Sequence, residues 1–394
     1  MAKSKKAETS EQPGARLTTV RVKGFRSLTD VDLTPGRITV LVGPNGAGKS
    51  NLLQFLRMAS MLRTRSLGLF VGRSGGVSSL LHIGTHSARA IECELLFDVG
   101  TGTSRYRATW ERAAGERLVF TREELGYRAN GADRWLSKEL GAGHFESLVK
   151  ESAKSENDPI AAHFNWCLKG LSFFHFHDTS ATSLLRSDAR IADGAYLRSD
   201  GSNLAAYLYA LRNSSDDDDR VTWRNIGALV RQVAPFIKEL APEPVSPAGT
   251  PEVRETDLSS SVRLYWIADD DERFGPEHLS DGTLRLIALV TALTQAPHRM
   301  PQFVSIDEPE LGLHPAALAL VSELVRAASR HTQVLLATQS PGLLDQFAPD
   351  QIVVCDRAAD GTTLARLEED ELKQWLDDYS LGQLFQKGVL GGQP

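Results

Sequence analysis

Between Leu41 and Leu56 the chain reads LVGPNGAGKSNLLQFL. Gly43, Gly48, Lys49 and Ser50 fit the pattern GxxxxGK[ST], with a further glycine at Gly46. Glycines in such a turn let backbone N–H groups point inward and cradle phosphate oxygens. Lys49 can reach the β- and γ-phosphates of a nucleoside triphosphate, and the Ser50 hydroxyl can ligate Mg²⁺. A helix is expected from Asn51 to about Leu62, and its N-terminal partial positive charge adds to the attraction. The expected nucleotide-binding set is Gly43, Asn45, Gly46, Gly48, Lys49, Ser50 and Asn51. ATP and Mg²⁺ are the cofactors it implies.

Two further stretches carry chemistry. In QFVSIDEPELGLHP the apolar run Phe303 to Ile306 predicts a short strand that delivers Asp307 and Glu308 at its end, where ligands of α/β sheets bind. Asp307 suits a Mg²⁺ contact, and Glu308 suits the base that positions water against a γ-phosphate. In EHLSDGTLRLIALVTAL, Ser280, Asp281 and Gly282 stand directly before a strongly apolar helix. They offer a hydroxyl and backbone donors at a helix N-terminus. His175 and His177 alternate along LSFFHFHD. Two imidazoles fall short of the three or four ligands a zinc site wants.

The elements that must position these residues are legible in outline. RLTTVRVKGFRSLTDVDL alternates as one or two half-buried strands, and GRITVLVG is a buried strand feeding the glycine turn. AIECELLFDV, SRYRATWER and RLVFTREEL predict an antiparallel sheet. Helix is expected over HFESLVKESAKSENDPIAAHFNWCLKG and GSNLAAYLYALRN. VTWRNIGALVRQVAPFIKEL carries helical periodicity, with a kink at Pro235. SSDDDD reads as a solvated turn, and APEPVSPAGTP as a linker. Strand–helix alternation from SVRLYWIAD onward implies a largely parallel sheet.

Composition excludes several classes. The 394 residues carry 44 basic and 50 acidic side chains, a net charge of -6, which argues against a surface coated with positive charge for nucleic acid. Locally the balance reverses. Arg37, Lys49, Arg57, Arg63, Arg65, Arg73 and Arg89 lie between Leu33 and Ile91 with no acidic residue among them. That stretch is either a patch for nucleic-acid phosphates or a solvated face plus the nucleotide's counter-charge. Three scattered cysteines imply a reducing compartment, no apolar run approaches a membrane span, and the cytoplasm is the expected location.

The order of these motifs resembles the ABC-type ATPase heads of the SMC and RecF group, in particular the stand-alone RecF-like or OLD-like ATPases. LSDGT resembles the signature LSGGQ, with Asp281 and Thr283 as departures. ELGLHP resembles the loop after Walker B that meets a partner subunit. VKGFRSL resembles the N-terminal strand whose arginine, here Arg26, approaches the nucleotide phosphates. The implied fold is an α/β P-loop NTPase of ABC type, with a mixed or parallel sheet core, an antiparallel β subdomain and a helical insertion. The expected division is a disordered tail over 1–15, an N-terminal ATPase lobe over 16–125, a mainly helical insertion over 126–257 and a C-terminal lobe over 258–394.

The resemblance also implies a mechanism and its partners. Two ATP molecules are sandwiched in a homodimer, Ser280 and Gly282 of one copy capping the γ-phosphate held by the other. Gln339 stands where the family places a switch histidine, so slow hydrolysis is expected; the residue near Mg²⁺ and the attacking water is either His177 or Asp178. Two functions follow: ATP-switched DNA binding in double-strand break repair, or a sensor that controls a separate nuclease-like effector in phage defence. No membrane partner is expected.

Overall fold

The computed structural model describes residues 14–82, 88–155, 158–245 and 260–391. The expected tail falls almost wholly outside them. The chain opens with the hairpin β1 (Arg16–Phe25) and β2 (Leu28–Leu33), then β3 (Ile38–Val42), which feeds the glycine turn and α1 (Lys49–Met61). After α2 (Leu67–Arg73) come β4 (Ala90–Asp98), β5 (Gly102–Ala113), β6 (Arg117–Ala129) and β7 (Leu136–Gly141). These join the hairpin in one antiparallel sheet of order β2-β1-β4-β5-β6-β7. Alternating burial along β4 shows why: every second residue from Ile91 to Phe97 faces the core.

Next come α3 (Val149–Ser152), α4 (Pro159–Lys169), β8 (Leu171–Phe174), β9 (Ala189–Arg190), α5 (Leu204–Arg212) and α6 (Asp217–Val233). A second, smaller sheet is built from β10 (Ile237–Val245), β11 (Ser261–Ala268) and β12 (Arg273–Phe274), with β9 against β11. The rest of the chain alternates: α7 (Asp281–Leu293), β13 (Phe303–Asp307), α8 (Pro315–Ala328), β14 (Gln333–Thr338), α9 (Pro341–Leu344), β15 (Ile352–Ala358), β16 (Gly361–Arg366), α10 (Glu369–Leu376) and α11 (Leu381–Gln386).

The central sheet has the order β16-β15-β3-β14-β13-β8, parallel except for β16. Its inner strands β3, β13 and β14 are buried on both faces, and alternate residues of the sheet serve two cores. Val40, Val304, Val334 and Val354 pack with α5, α7 and the small sheet. Leu41, Phe303, Leu335 and Val353 pack with α1, α4 and the antiparallel sheet. Every residue of α7 from Leu284 to Leu293 is buried, as its all-round apolar sequence requires.

Four expectations need correction. Residues 126–257 are not simply a helical excursion, because β8 within them completes the central sheet by pairing with β13. SSDDDD is not a solvated turn: Asp216 caps α6 by accepting from the N–H groups of Asp218 and Asp219. Asp219 is buried against Arg299. The helix does not continue through Pro235. It stops at Val233, since proline disfavours helix in the residue before it, and β10 follows. Ala241 to Val245, read as linker, belong to β10; the rest of that linker lies outside the described residues.

Candidate functional site

Strands β3, β14, β13 and β8 run side by side and parallel. Whatever follows their C-terminal ends shares one rim of the sheet. After β3 comes the glycine turn, and after β14 comes Gln339. Asp307 and Glu308 stand at the end of β13, and His175 to Asp178 follow β8. This rim is where open parallel sheets bind ligands.

The turn is built to leave amides free. Gly48, the N-cap of α1, has φ 108° and offers no side-chain cap. A Cβ there would stand 2.0 Å from Thr362 Oγ1, so both backbone and space require glycine. No acidic residue occupies the first turn of α1. Its orphan N–H groups therefore have no local competitor for an anion. Lys49 is only 5% exposed, and Nζ donates to the carbonyls of Gly43 at 2.6 Å and Pro44 at 3.0 Å. Burial holds its pKa below the ordinary value, opposed by Glu308, Asp307 and Glu310 nearby. Asn45, Gly46 and Ser50 are exposed.

Arg26 approaches the same helix from the first hairpin. Its backbone is left-handed, φ 51°, and its guanidinium donates to Asn51 Oδ1 at 3.5 Å and to Gln54. Asn51 in turn donates to Ser27 Oγ at 2.8 Å. Glu308 is also left-handed, φ 44°, a strained conformation for a side chain of this size. Its N–H donates to Ala337 O at 2.8 Å, which ties it to β14. Gln339 Nε2 lies 3.5 Å from Glu308 Oε1. Glu310 braces the pair: its Oε1 accepts from Thr338 Oγ1 at 2.6 Å and from the Gln339 N–H at 3.2 Å. Burial raises the Glu310 pKa.

Asp307 is held differently. Burial raises its pKa, opposed by His177 and by the hydroxyl of Ser50, which lines the same cavity. Its Oδ1 is buried without a hydrogen-bond partner. An orphan carboxylate oxygen beside a hydroxyl suits a hard cation with oxygen ligands, and the pair fits Mg²⁺. Of the two candidates after β8, His177 meets this residue, its Nε2 3.0 Å from Asp307 O. Asp178 instead accepts from the N–H and hydroxyl of Ser180. The two imidazoles are not on one strand face, since β8 ends at Phe174; their rings meet beyond it at a tilt of 33°, with centroids 3.9 Å apart. Burial, His177 and Arg57 push the His175 pKa down to about 4.

Ser280, Asp281 and Gly282 are organised separately. Ser280 caps α7, its Oγ accepting from Thr283 N–H at 3.1 Å. Asp281 pairs with Arg186 at 2.9 Å. A Cβ on Gly282 would meet Gly312 O at 2.4 Å, so this glycine lets the helix end approach the ELGLHP loop. Among the described residues, no hydrogen bond or ion pair links these three to the glycine turn.

Sequence reasoning missed Arg186, Arg285 and Glu310. Arg285 is 4% exposed and donates to Phe176 O at 2.8 Å, His177 O at 2.9 Å and Leu311 O. It joins the signature helix to the loop after β8 and to the loop after β13. Its only signal was a charge inside an apolar run. The arginine-rich stretch is less concentrated than its sequence suggests. Lys49 is buried in the turn, Arg37 bonds the carbonyls of Ser329 and Arg330, and Arg65 pairs with Glu151. Arg57 and Arg73 join Arg26 around a 390 Å³ cavity that Ser50 and Asp307 also line.

Residues 38–345 match an AAA domain family whose description names the AbiEii toxin and the Type IV TA system. The chain belongs to this family. It is 29% identical over 156 residues to the DNA replication and repair protein RecF of Myxococcus xanthus, covering 35% of this chain and 39% of that protein. It is 32% identical over 104 residues to the chromosome partition protein Smc of Thauera aminoaromatica, covering 25% of this chain and 8% of that protein. Over 38 residues it is 53% identical to the OLD nuclease of Thermus scotoductus, covering 10% of this chain and 7% of that protein. The chain thus spans well under half the length of each of these relatives. Among solved structures, the Smc head bound to the C-winged helix domain of ScpA superposes with a TM-score of 0.58 at 16% identity, covering 91% of this chain and 99% of that one. A head with an extended coiled coil from Pyrococcus furiosus also gives 0.58, at 15% identity over 92% and 99%. The protein is an ABC-type ATPase head of the SMC and RecF group. No helix of the described residues is long and apolar enough to cross a membrane.

Proposed function

We propose that the protein binds and hydrolyses ATP in the cytoplasm, and that ATP joins two copies into a dimer that controls DNA binding in double-strand break repair. The observation that carries this reading is the separation of the two half-sites. Lys49, Ser50, Asp307 and Glu308 share one rim. The signature turn at Ser280 is exposed and joined to none of them by a hydrogen bond or ion pair among the described residues.

In the dimer, Lys49 and the amides of the glycine turn bind the phosphates, with Arg26 reaching from the side. Ser50 and Asp307 would hold Mg²⁺, which neutralises phosphate charge when bound. Glu308 takes a proton from water as its oxygen attacks the γ-phosphorus and the bond to ADP breaks. Gln339 steadies Glu308. Ser280 and Gly282 of the second copy cap the γ-phosphate with hydroxyl, amide and helix dipole. The 950 Å³ cleft lined by Lys23, Ser27, Arg357 and Gly361 adjoins the turn and suits the base and ribose.

A second reading has its own support. The family description and the OLD nuclease match favour a sensor that controls a separate nuclease-like effector in phage defence. Light scattering on Glu308→Gln protein tests the shared step. A monomer that doubles only with ATP–Mg²⁺ supports the switch, and a mass unmoved by ATP removes it. Salt-sensitive DNA binding by that dimer, lost on replacing Arg57 and Arg73, then favours repair; its absence favours the effector.

A further inference from the structure

On the rim, two histidines that follow β8 stand beside Asp307. His175, His177 and Asp307 each offer a ligand atom, and these atoms all lie within 4.8 Å of one another. Sequence did not join Asp307 to the two histidines, because it comes from a strand more than 100 residues further on; the pairing of β8 with β13 brings it alongside.

The details suit a metal ion better than a packed pair of histidines. His177 Nε2 faces the backbone carbonyl of Asp307 at 3.0 Å. A carbonyl only accepts, so Nε2 donates in this contact, and in the neutral ring Nδ1 then keeps the lone pair. Ligating histidines are commonly oriented in this way, with the second nitrogen donating to a carbonyl. The backbone is pinned too. Arg285 donates to Phe176 O and His177 O, and the His175 N–H donates to Ser199 O at 2.9 Å. Asp307 Oδ1 is buried without a partner, which costs free energy unless something charged or protic meets it. His175 and Asp307 both open into the 390 Å³ cavity, which gives an ion a way in and leaves room for water or phosphate as further ligands. The other cluster of this composition, Asp216, Asp219 and His298, differs: there Arg299 already bonds both oxygens of Asp219, at 2.8 and 2.7 Å.

We propose that His175, His177 and Asp307 form a binding site for a first-row transition metal ion, two imidazoles and one carboxylate on one face of the ion with the opposite face open. Imidazole nitrogens favour Zn²⁺, Ni²⁺ or Fe²⁺ over Mg²⁺, and Co²⁺, between Fe²⁺ and Ni²⁺ in affinity, reports on the same site. The site stands on its own geometry and needs no nucleotide. Asp307 is shared with the proposed Mg²⁺ position, so the ion and ATP bind linked sites.

The test is a titration of the chelator-stripped, nucleotide-free full chain with Co²⁺, read by its visible absorption. One equivalent is expected to bind. His175→Ala and His177→Ala should each weaken it at least about tenfold, and His331→Ala, remote from the site, should not. Binding that neither of the first two substitutions alters overturns the proposal, as does no binding. Should His177→Ala fail to fold by circular dichroism, diethyl pyrocarbonate labelling of the wild type decides. Zn²⁺ must protect His175 and His177 together, and unchanged labelling overturns the site. A wild-type chain that takes Co²⁺ but no fluorescent ATP analogue leaves this site standing and removes the nucleotide reading instead.

Discussion

Two helix N-termini, those of α1 and α7, are finished in opposite ways. At α1 the cap is Gly48, the first turn holds no acidic residue, and the nearest charge is buried Lys49. At α7 the cap is Ser280, whose hydroxyl already accepts from Thr283 N–H, and the exposed Asp281 sits in the first turn. One end has its donors unspent and a cation beside it. The other is satisfied within its own chain and carries a negative charge. On the proposed function, the first recruits phosphate alone, whereas the second would bind phosphate only when a partner's nucleotide competes for Ser280 and Asp281 is neutralised. Arg186, 2.9 Å from that carboxylate, supplies the neutralising charge.

The sharpest way to break this contrast is at the α1 rim. Glu308→Gln keeps shape and removes the base, so phosphate release should fall by about 10²–10⁴-fold, with ATP binding preserved. Hydrolysis within tenfold of wild type would reject Glu308 as the base. Lys49→Ala should weaken ATP about 100-fold or more, the equivalent of ~3 kcal/mol of charge-assisted hydrogen bonding. Fluorescence of an ATP analogue reads this directly. Equal affinity in the variant would mean that the turn is not a phosphate site.

That rim was legible in sequence because its parts are local. A glycine turn, a lysine and a hydroxyl next to one another need only the strand before and the helix after. Asp307–Glu308 were legible for the same reason. What joins the rim to the signature was not. Glu310 matters only because β14 brings Thr338 and Gln339 to it. Arg285 matters only because α7 lies under the loops after β8 and β13. Both depend on sheet order, which composition and periodicity do not encode. Tertiary context also overrode local reading at Asp219, where a run of acids promised solvent and a distant arginine buried one of them. At Ala241–Val245 two prolines promised a linker, yet the segment pairs in register with β11.

The α7 side predicts smaller effects. Asp281→Gly removes a like charge from the path of the partner's γ-phosphate and should tighten the ATP-bound dimer by no more than about fivefold, since the side chain is 65% exposed and exposed charges contribute about 1 kcal/mol or less. Arg186→Ala should shift dimerisation the other way. Sedimentation across a concentration series separates the two. Matching shifts of the same sign would discard the neutralisation idea.

The smallest effect on nucleotide is expected from a change that bears on stability alone. The Asp219 carboxylate is 2% exposed and Arg299 18%. Burial alone would raise the Asp219 pKa, but two hydrogen bonds from Arg299 and one from Ser214 outweigh it, leaving the carboxyl below its ordinary value. Asp219→Asn should therefore cost about 2–3 kcal/mol of unfolding free energy at neutral pH, with ATP affinity unchanged. A carboxyl whose pKa is depressed by folding stabilises above its unfolded pKa of about 3.9 and loses that contribution as pH falls below it. The gap in urea midpoint between wild type and Asp219→Asn should accordingly be full at pH 7 and narrow below about pH 4. A gap that stays constant down to pH 3 would mean that the substitution acts through packing and not through charge. A loss of ATP affinity would mean that this buried pair, at the far end of α7, is coupled to the rim and that the two helix ends are not independent.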